Sequence, residues 1–348
     1  MKKVLIAGGG TGGHIAPALA VGQRIAGEGW AEVFYAGTER PVDVAMYAPQ
    51  GDHAHTLRSP RIDKGARILL PVTGTLALLR AVGLLKRLRI EAVLGTGGYA
   101  SFYCVAAAWL CGIPCAVLDT NAIPGRSNRL VSRFAKLAFA AFPGQESQFH
   151  CRVRTVGIPV QAVTRPAGAR VRLGLSEESK VVLFLGGSQG ARAVNDLAMA
   201  CPVGINVLLQ CGESDEMRVK AIVADREGFI AAGFLADLSD WYAAADLAVA
   251  RAGAQTLAEL SRFGIPTVFI PYPHAADDHQ AANAMMAVRE GAALMKRQES
   301  TEPEAFWSEV KALLYNRETL GSMAVAMSGL LPKNAAQLVS EEIRRLCR

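Results

Sequence analysis

At 348 residues the chain is long for a single hydrophobic core, and at roughly 150 residues per domain two domains are the default. It is 51% apolar, 20% charged and only 7% aromatic, with 34 glycines, the profile of a globular, helix-rich α/β protein rather than an all-β one. A formal charge of +6 without any interleaved basic and aromatic motif favours an anionic partner, such as a phosphorylated substrate or an acidic membrane surface, and speaks against nucleic acid.

The chain opens with Met1-Lys2-Lys3 and an apolar run from Val4 to Ala7, too short for a signal segment and followed at once by glycines, so it reads as a first strand. Further strands are expected at 32–36, 92–94, 115–118 and 137–140, and helices at 15–27, 76–88, 101–111 and 125–134. Residues 92–118 carry no charge and are long enough to cross a bilayer. Gly95, Gly97, Gly98, Gly112 and Pro114 break that stretch into strand, turn, helix and strand. Strand–helix alternation implies a doubly wound parallel sheet. The segment Thr155-Val156-Gly157-Ile158-Pro159-Val160 interrupts the rhythm, which restarts with a strand at 181–185 and a helix at 191–199. Strands follow at 206–210, 229–233, 247–250 and 267–270. The fold expected is two Rossmann-like α/β domains facing a cleft, 1–158 and 159–332. An amphipathic last helix within 333–348 is free to return to the first domain. Seven cysteines, an odd number with no CxxC pair, read as reduced thiols of a cytosolic protein and not as a metal site.

Glycines directly after strands mark where ligands bind, beyond the carboxyl ends of a parallel sheet. The first such loop, Gly8-Gly9-Gly10-Thr11-Gly12-Gly13-His14, has the spacing of a dinucleotide fingerprint, but Glu39 is a poor match for the acidic residue that would hold a ribose. A diphosphate at a helix N-terminus fits it equally well. His14 is either a general base or a hydrogen-bonding residue of the loop. A second loop, Gly95-Thr96-Gly97-Gly98-Tyr99, offers another anion site on the same sheet edge. The third, Gly186-Gly187-Ser188-Gln189-Gly190, lacks a Walker lysine, so it is no ATPase loop, and its Ser188 and Gln189 amides suit a nucleotide diphosphate. The fourth, Arg251-Ala252-Gly253-Ala254-Gln255-Thr256, opens a helix carrying Glu259, which suits ribose hydroxyls. Gln280 and Asn283, three apart on one helix, suit sugar hydroxyls. Asp277, Asp278 and His279 are adjacent in sequence, and poor facial spacing argues against a metal there.

Residues 67–89 mix many leucines with arginine and lysine. Leu76, Leu79, Arg80, Leu84, Lys86 and Arg87 form a basic, apolar patch suited to an anionic bilayer. A core-facing helix with a solvated basic rim is the alternative.

Taken in order, GGGTGGHIAP, GTGGYAS, GGSQGARAVND, RAGAQTLAE and PHAADDHQAANA resemble the signatures of the MurG family of peptidoglycan glycosyltransferases over essentially the whole chain. The resemblance implies a GT-B fold and metal-independent, inverting transfer of N-acetylglucosamine, without a cofactor, from UDP-GlcNAc to lipid I at the cytoplasmic face of the bacterial inner membrane. It implies partners among cell-wall synthesis proteins. It places the acceptor at Gly12, Gly13, Gly97, Gly98, Tyr99 and Asn128, with His14 as base. It places the donor at Ser188, Gln189, Ala254, Thr256 and Glu259, with Phe234 and Leu235 at the uracil and Gln280 and Asn283 at the sugar. Thr11, Gly12, Gly13 and Asn121 complete the donor set. Two positions depart from the family pattern: Thr120 stands where a glutamine is usual, and Gln161 where an arginine is. The residues themselves leave open a related enzyme with another lipid acceptor, a non-catalytic nucleotide-binding protein, and a membrane-surface scaffold.

Overall fold

In the computed structural model, which describes residues 1–58, 70–161 and 164–348, Val4 and Ile6 face one side of the first strand and Leu5 and Ala7 the other. All four are sealed from solvent. A strand buried on both faces belongs in a parallel sheet covered by helices on each side. The chain divides into two compact units. One comprises Met1–Gln161 and Pro332–Arg348, the other Ala162–Leu331.

The first unit runs β1 (Lys2–Gly8), α1 (Gly12–Glu28), β2 (Ala31–Gly37), α2 (Pro41–Tyr47), β3 (Ala54–Thr56), α3 (Leu70–Leu88), β4 (Ala92–Gly97), α4 (Gly98–Leu110), β5 (Cys115–Asp119), α5 (Arg126–Val131), β6 (Leu137–Ala140) and β7 (Arg152–Thr155). Its seven strands are parallel, in the order β3-β2-β1-β4-β5-β6-β7. The second unit runs α6 (Ala169–Arg172), β8 (Val181–Leu185), α7 (Arg192–Met199), β9 (Asn206–Gln210), α8 (Glu216–Val223), β10 (Phe229–Ala232), α9 (Ser239–Ala244), β11 (Leu247–Ala250), α10 (Ala254–Phe263), β12 (Thr267–Phe269), α11 (His279–Arg289), β13 (Ala293–Met295), α12 (Pro303–Tyr315) and α13 (Arg317–Gly329). Its order, β10-β9-β8-β11-β12-β13, repeats the same winding. Each sheet therefore reverses direction between its first and fourth strands. Loops leaving those two strands splay to opposite faces and open a crevice at the carboxyl edge.

The last helix, α14 (Ala335–Leu346), joins the first unit. Its Val339 and Ile343 enter the core beneath α1, and Ser340 bonds Glu28 and Trp30 at 2.7 and 3.1 Å. Buried Glu342 pairs with Arg154, Arg345 and Arg152, so its charge is compensated on three sides.

The two parallel sheets expected from the alternation are present. The uncharged 92–118 stretch is β4, α4 and β5, and no helix among the described residues is long and apolar enough to cross a membrane. Three short edge strands, β3, β7 and β13, carry no strong alternating pattern and escape the sequence reading. The second glycine loop turns out to be hardly a loop. β4 runs through Gly97 and α4 starts at Gly98, because φ values of +119° and +81° turn the chain without connecting residues. Among the cysteines, Cys104, Cys115, Cys201 and Cys211 are buried, the other three partly so, and none is paired.

Candidate active site

At the β1/β4 switch point of the first unit, glycines bring backbone and imidazole together. The Gly9 N–H donates to the Gly97 carbonyl at 3.2 Å, and Thr96 Oγ1 donates to the His14 carbonyl at 2.8 Å. A Cβ on Gly98 would lie 2.2 Å from the Gly9 oxygen, and one on Gly97 would lie 2.5 Å from His14 Cδ2. No side chain fits at either position. His14 sits in the first turn of α1, its Nδ1 2.9 Å from the Gly9 carbonyl. A carbonyl only accepts, so Nδ1 carries the proton and the neutral ring keeps its lone pair on Nε2, on the Gly97 side. Thr11 Oγ1 lies 3.4 Å from Nδ1, and Thr11 caps α1 in extended conformation. The Gly12 and Gly13 N–H groups have no acceptor within the helix.

The loop is held by a residue no motif announces. Asp43, in α2, is 1% exposed and accepts from Gly10 N at 2.8 Å and from Thr38 N and Oγ1, both at 2.6 Å. Arg40 donates to the Gly10 carbonyl and Tyr47 to the Gly8 carbonyl, each at 2.9 Å. This short helix and its N-cap Arg40 thus hold the backbone of the first glycine loop at Gly8 and Gly10.

On the far side of β4 from β1, buried Asp119 at the end of β5 accepts from Asn121 N, Gly125 N and Asn128 Nδ2 at 3.0, 2.8 and 2.9 Å. Asn128, the residue expected at the acceptor, belongs to this turn. It is 2% exposed, its N–H groups are taken by Asp119 and Leu118, and it shapes the loop from behind. Tyr99 lies partly exposed in the first turn of α4.

The second unit places its residues beyond the carboxyl ends of four strands, β8, β10, β11 and β12. Ser188 and Gln189 form an exposed turn after β8, between Gly187 and Gly190 at φ +90° and +74°. Ala254 and Thr256 open α10 after β11, at the other side of this sheet's switch point. Phe234 and Leu235 follow β10, and the Phe234 ring is half exposed. Glu259, one turn into α10, receives the Tyr242 hydroxyl at 2.6 Å. Burial pushes its carboxyl above the ordinary carboxylate range, against the pull of that bond, and burial pushes the Tyr242 phenol well up. Gln280 Oε1 accepts from Tyr272 N at 2.9 Å, which fixes the Gln280 amide. Asn283, expected at the sugar together with Gln280, lies deeper on the helix. It is 0% exposed and donates to the Ala252 carbonyl at 3.0 Å, bracing the fourth glycine loop. Buried Arg251 braces the next turn by donating to the carbonyls of Ile270 and Pro271, both at 2.9 Å. Asp278 pairs with Arg297 at 2.9 Å. Among the described residues no group of three His, Cys, Asp or Glu is placed to hold a metal ion.

On α3, the expected patch divides. Leu76 and Leu79 are 46% and 60% exposed, on one stripe with Val72, while Arg80, Lys86 and Arg87 are exposed further along. Leu84 is a correction: it packs in the core at 8% exposure, on the sheet side of the helix with Ala77, Ala81 and Leu85. Arg58, Arg80 and Arg87 border an open cavity of about 460 Å³. Residues 67 and 69 of this patch lie outside the described residues.

Comparison with known proteins agrees with this geometry. Residues 4–140 match the glycosyltransferase family 28 N-terminal domain and residues 181–341 the family 28 C-terminal domain. The UDP-N-acetylglucosamine–N-acetylmuramyl-(pentapeptide) pyrophosphoryl-undecaprenol N-acetylglucosamine transferase of Myxococcus xanthus is 36% identical, across 100% of this chain and 92% of that protein. The same enzyme from Aeromonas hydrophila is also 36% identical, across 99% and 97%. The crystal structure of Acinetobacter baumannii MurG matches with a TM-score of 0.81 at 31% identity, covering 99% of this chain and 100% of that one. The calicheamicin glycosyltransferase CalG4, at 16% identity and a TM-score of 0.72, shares the fold alone. The chain has the GT-B fold and belongs to glycosyltransferase family 28, within its MurG transferases.

Proposed function

We propose that this chain transfers N-acetylglucosamine from UDP-GlcNAc to the 4-hydroxyl of the muramyl residue of lipid I, giving lipid II with inversion at the anomeric carbon. The observation that carries this reading is the fixed His14 imidazole. Its Nδ1–H is committed to the Gly9 carbonyl, which leaves Nε2 as the base beside the Gly97–Gly98 backbone. Nε2 takes the proton of the acceptor hydroxyl as that oxygen attacks C1 of the sugar, and the C1–O bond to UDP breaks. First-turn amides of α1 and α4, from Gly12, Gly13, Gly98 and Tyr99, hold the acceptor diphosphate.

The second unit binds the donor. The Ser188–Gln189 turn and the α10 N-terminus at Ala254 and Thr256 hold the diphosphate of UDP, where each helix terminus contributes about 0.3–1 kcal/mol toward a negative charge. Leaving-group charge is stabilised by these preorganised amides. Glu259 accepts from the ribose, Gln280 donates to the sugar, and the base lies at Phe234 and Leu235. Gln161, in place of the family's usual arginine, supplies no charge of its own to this anion. The exposed Val72, Leu76 and Leu79 stripe, with Arg80, Lys86 and Arg87, docks the protein as a peripheral protein on the anionic cytoplasmic face of the bacterial membrane.

The test is transfer of labelled GlcNAc from UDP-GlcNAc to a synthetic lipid I analogue. A labelled disaccharide lipid is expected. Transfer to a diacylglycerol acceptor in its place would move the chain to a different acceptor class, and nucleotide binding without any transfer would end the catalytic reading.

A further inference from the structure

β3 closes one edge of the first unit's sheet, two strands from β1 and its switch point. The cavity of about 460 Å³ lies between this edge and α3. Arg58 and Leu57 line it from the strand end, and Arg80, Gly83 and Arg87 from the helix. Spacings of three and four residues put those last three on one face of α3, across two turns. Arg80 and Arg87 are exposed, and neither pairs with a carboxylate among the described residues. Arg58 gives its Nε to Glu39, which also lines the cavity, so three guanidinium groups stand against one carboxylate. Leu57 and the neighbouring Leu84, both buried, supply an apolar wall. A Cβ built on Gly83 meets nothing within 4 Å, so between the two unpaired arginines the wall is bare backbone with open space before it. His55, also in the lining, has an Nε2 that is sealed from water and meets no partner among the described residues. Burial, and after it the Arg87 charge, hold its pKa below the ordinary value, so this ring is neutral beside the arginines.

We propose that this cavity is a separate anion site that takes a phosphate ester: Arg80 and Arg87 hold the phosphate over Gly83, Arg58 closes on it from the strand end, and the ester's carbon chain lies against Leu57 and Leu84. Seven residues of helix separate the two arginines by about 10.5 Å along the axis, with Gly83 midway, so their side chains can converge on one group there. Guanidinium forks match the oxygens of a phosphate and bind them in pairs, which an ammonium cannot do. The apolar wall favours an ester over a bare inorganic ion. The site goes beyond the docking reading of α3. The exposed Val72, Leu76 and Leu79 stripe, with Lys86, attracts any anionic surface diffusely, whereas a cavity with converging arginines selects one phosphate by shape. A soluble phosphate ester and the headgroup of an anionic phospholipid present the same chemistry to it.

Two measurements on the full chain test this and separate the sources. Calorimetric titration with glycerol 3-phosphate reads the cavity with no membrane present. Flotation with vesicles of phosphatidylcholine, with and without phosphatidylglycerol, reads a headgroup. Arg87→Gln should weaken binding by about tenfold. Gly83→Glu, which sets a carboxylate in the open space between the arginines, should abolish it. Lys86→Gln removes the adjacent charge, outside the lining, and should change it little. All three positions are exposed, so the variants should fold as the wild type does. That pattern with glycerol 3-phosphate supports a soluble ester, and the same pattern with phosphatidylglycerol vesicles alone supports a lipid headgroup. Equal losses in Arg87→Gln and Lys86→Gln, or binding untouched by Gly83→Glu, overturn the inference and leave the docking face standing. A wild type that binds neither probe overturns both.

Discussion

The two units share one strand order and put it to different uses. At the β1/β4 switch point the glycines are filled in from behind: Gly98 abuts the Gly9 carbonyl, Gly97 abuts His14, and Asp43 ties Gly10 to Thr38. What remains to face a ligand is one oriented imidazole and a few backbone amides. At the β8/β11 switch point Gly186 and Gly190 pack tightly as well, but the Ser188–Gln189 tip is exposed, and the rim carries Glu259, Gln280 and Phe234. The same winding gives a rigid seat for chemistry in one unit and an open ring of hydrogen-bonding groups in the other. Changes in the first should therefore act on kcat and changes in the second on donor KM.

The sharpest way to break that contrast is His14→Ala. Loss of a general base should lower kcat by about 10²–10⁴-fold with donor KM nearly unchanged. Steady-state rates at saturating donor decide it, and a kcat within a few fold of wild type removes His14 from the chemistry. Gly97→Ala should follow, with kcat down about 10²-fold, because its Cβ displaces the imidazole at a residue whose φ is +119°. If Gly97→Ala instead raised KM alone, the seat would be a binding device like its counterpart.

Asp43→Ala takes the acceptor from three hydrogen bonds in a buried site, and it should cost about 3 kcal/mol of stability in urea unfolding. In the second unit, Tyr242→Phe should raise donor KM by about tenfold and leave kcat in place, since the phenol orients Glu259 and touches no reacting atom. The pH dependence sharpens this. Burial raises the Glu259 carboxyl, so donor affinity, which needs the carboxylate, falls as pH drops into the window above the ordinary value of about 4.3. Without the Tyr242 hydrogen bond, which lowers that pKa, the inflection in a KM–pH profile should move upward. Stability runs the other way. The folded state binds this proton more tightly than the unfolded one, so its contribution is present below the unfolded pKa and is lost as pH rises through the same window.

The glycine loops were legible in the sequence because each follows an apolar strand, and strand ends in a parallel sheet are where ligands bind. Hence the two doubly wound sheets, and the positions of His14, Ser188 and Thr256, could be read without coordinates. The supports could not. Asp43 lies in a seven-residue helix with no motif, and its role comes from β2 lying beside β1. Gln210 ends β9 and looks like any strand terminus until the Leu235 N–H, 25 positions on, donates to it. Asn283 and Gln280 differ by three residues, which leaves them about 60° apart on a helix, and that angle is enough for the core to take one and solvent the other. The same angular argument sends Leu84 inward and Leu76 outward on α3.

The smallest effect separates the two supporting aspartates. Asp215, just before α8, does for the second unit what Asp43 does for the first: it receives Asn195 Nδ2 at 2.7 Å while that same amide donates to the Cys211 carbonyl behind the third glycine loop. Unlike Asp43 it is paired with a cation. Hydrogen bonds from Arg218, at 2.6 Å to each oxygen, and from Asn195 hold its carboxyl down to about 2. A depressed pKa contributes stability that is present above the unfolded value of about 3.9 and lost as pH falls toward about 2. Asp215→Asn should therefore cost about 1 kcal/mol at neutral pH, in the range of a part-exposed ion pair, and the difference from wild type should shrink as unfolding is repeated down toward pH 3. A cost that stayed constant across that range would mean that shape rather than charge is what Asp215 contributes, and the two units would then be braced in the same way.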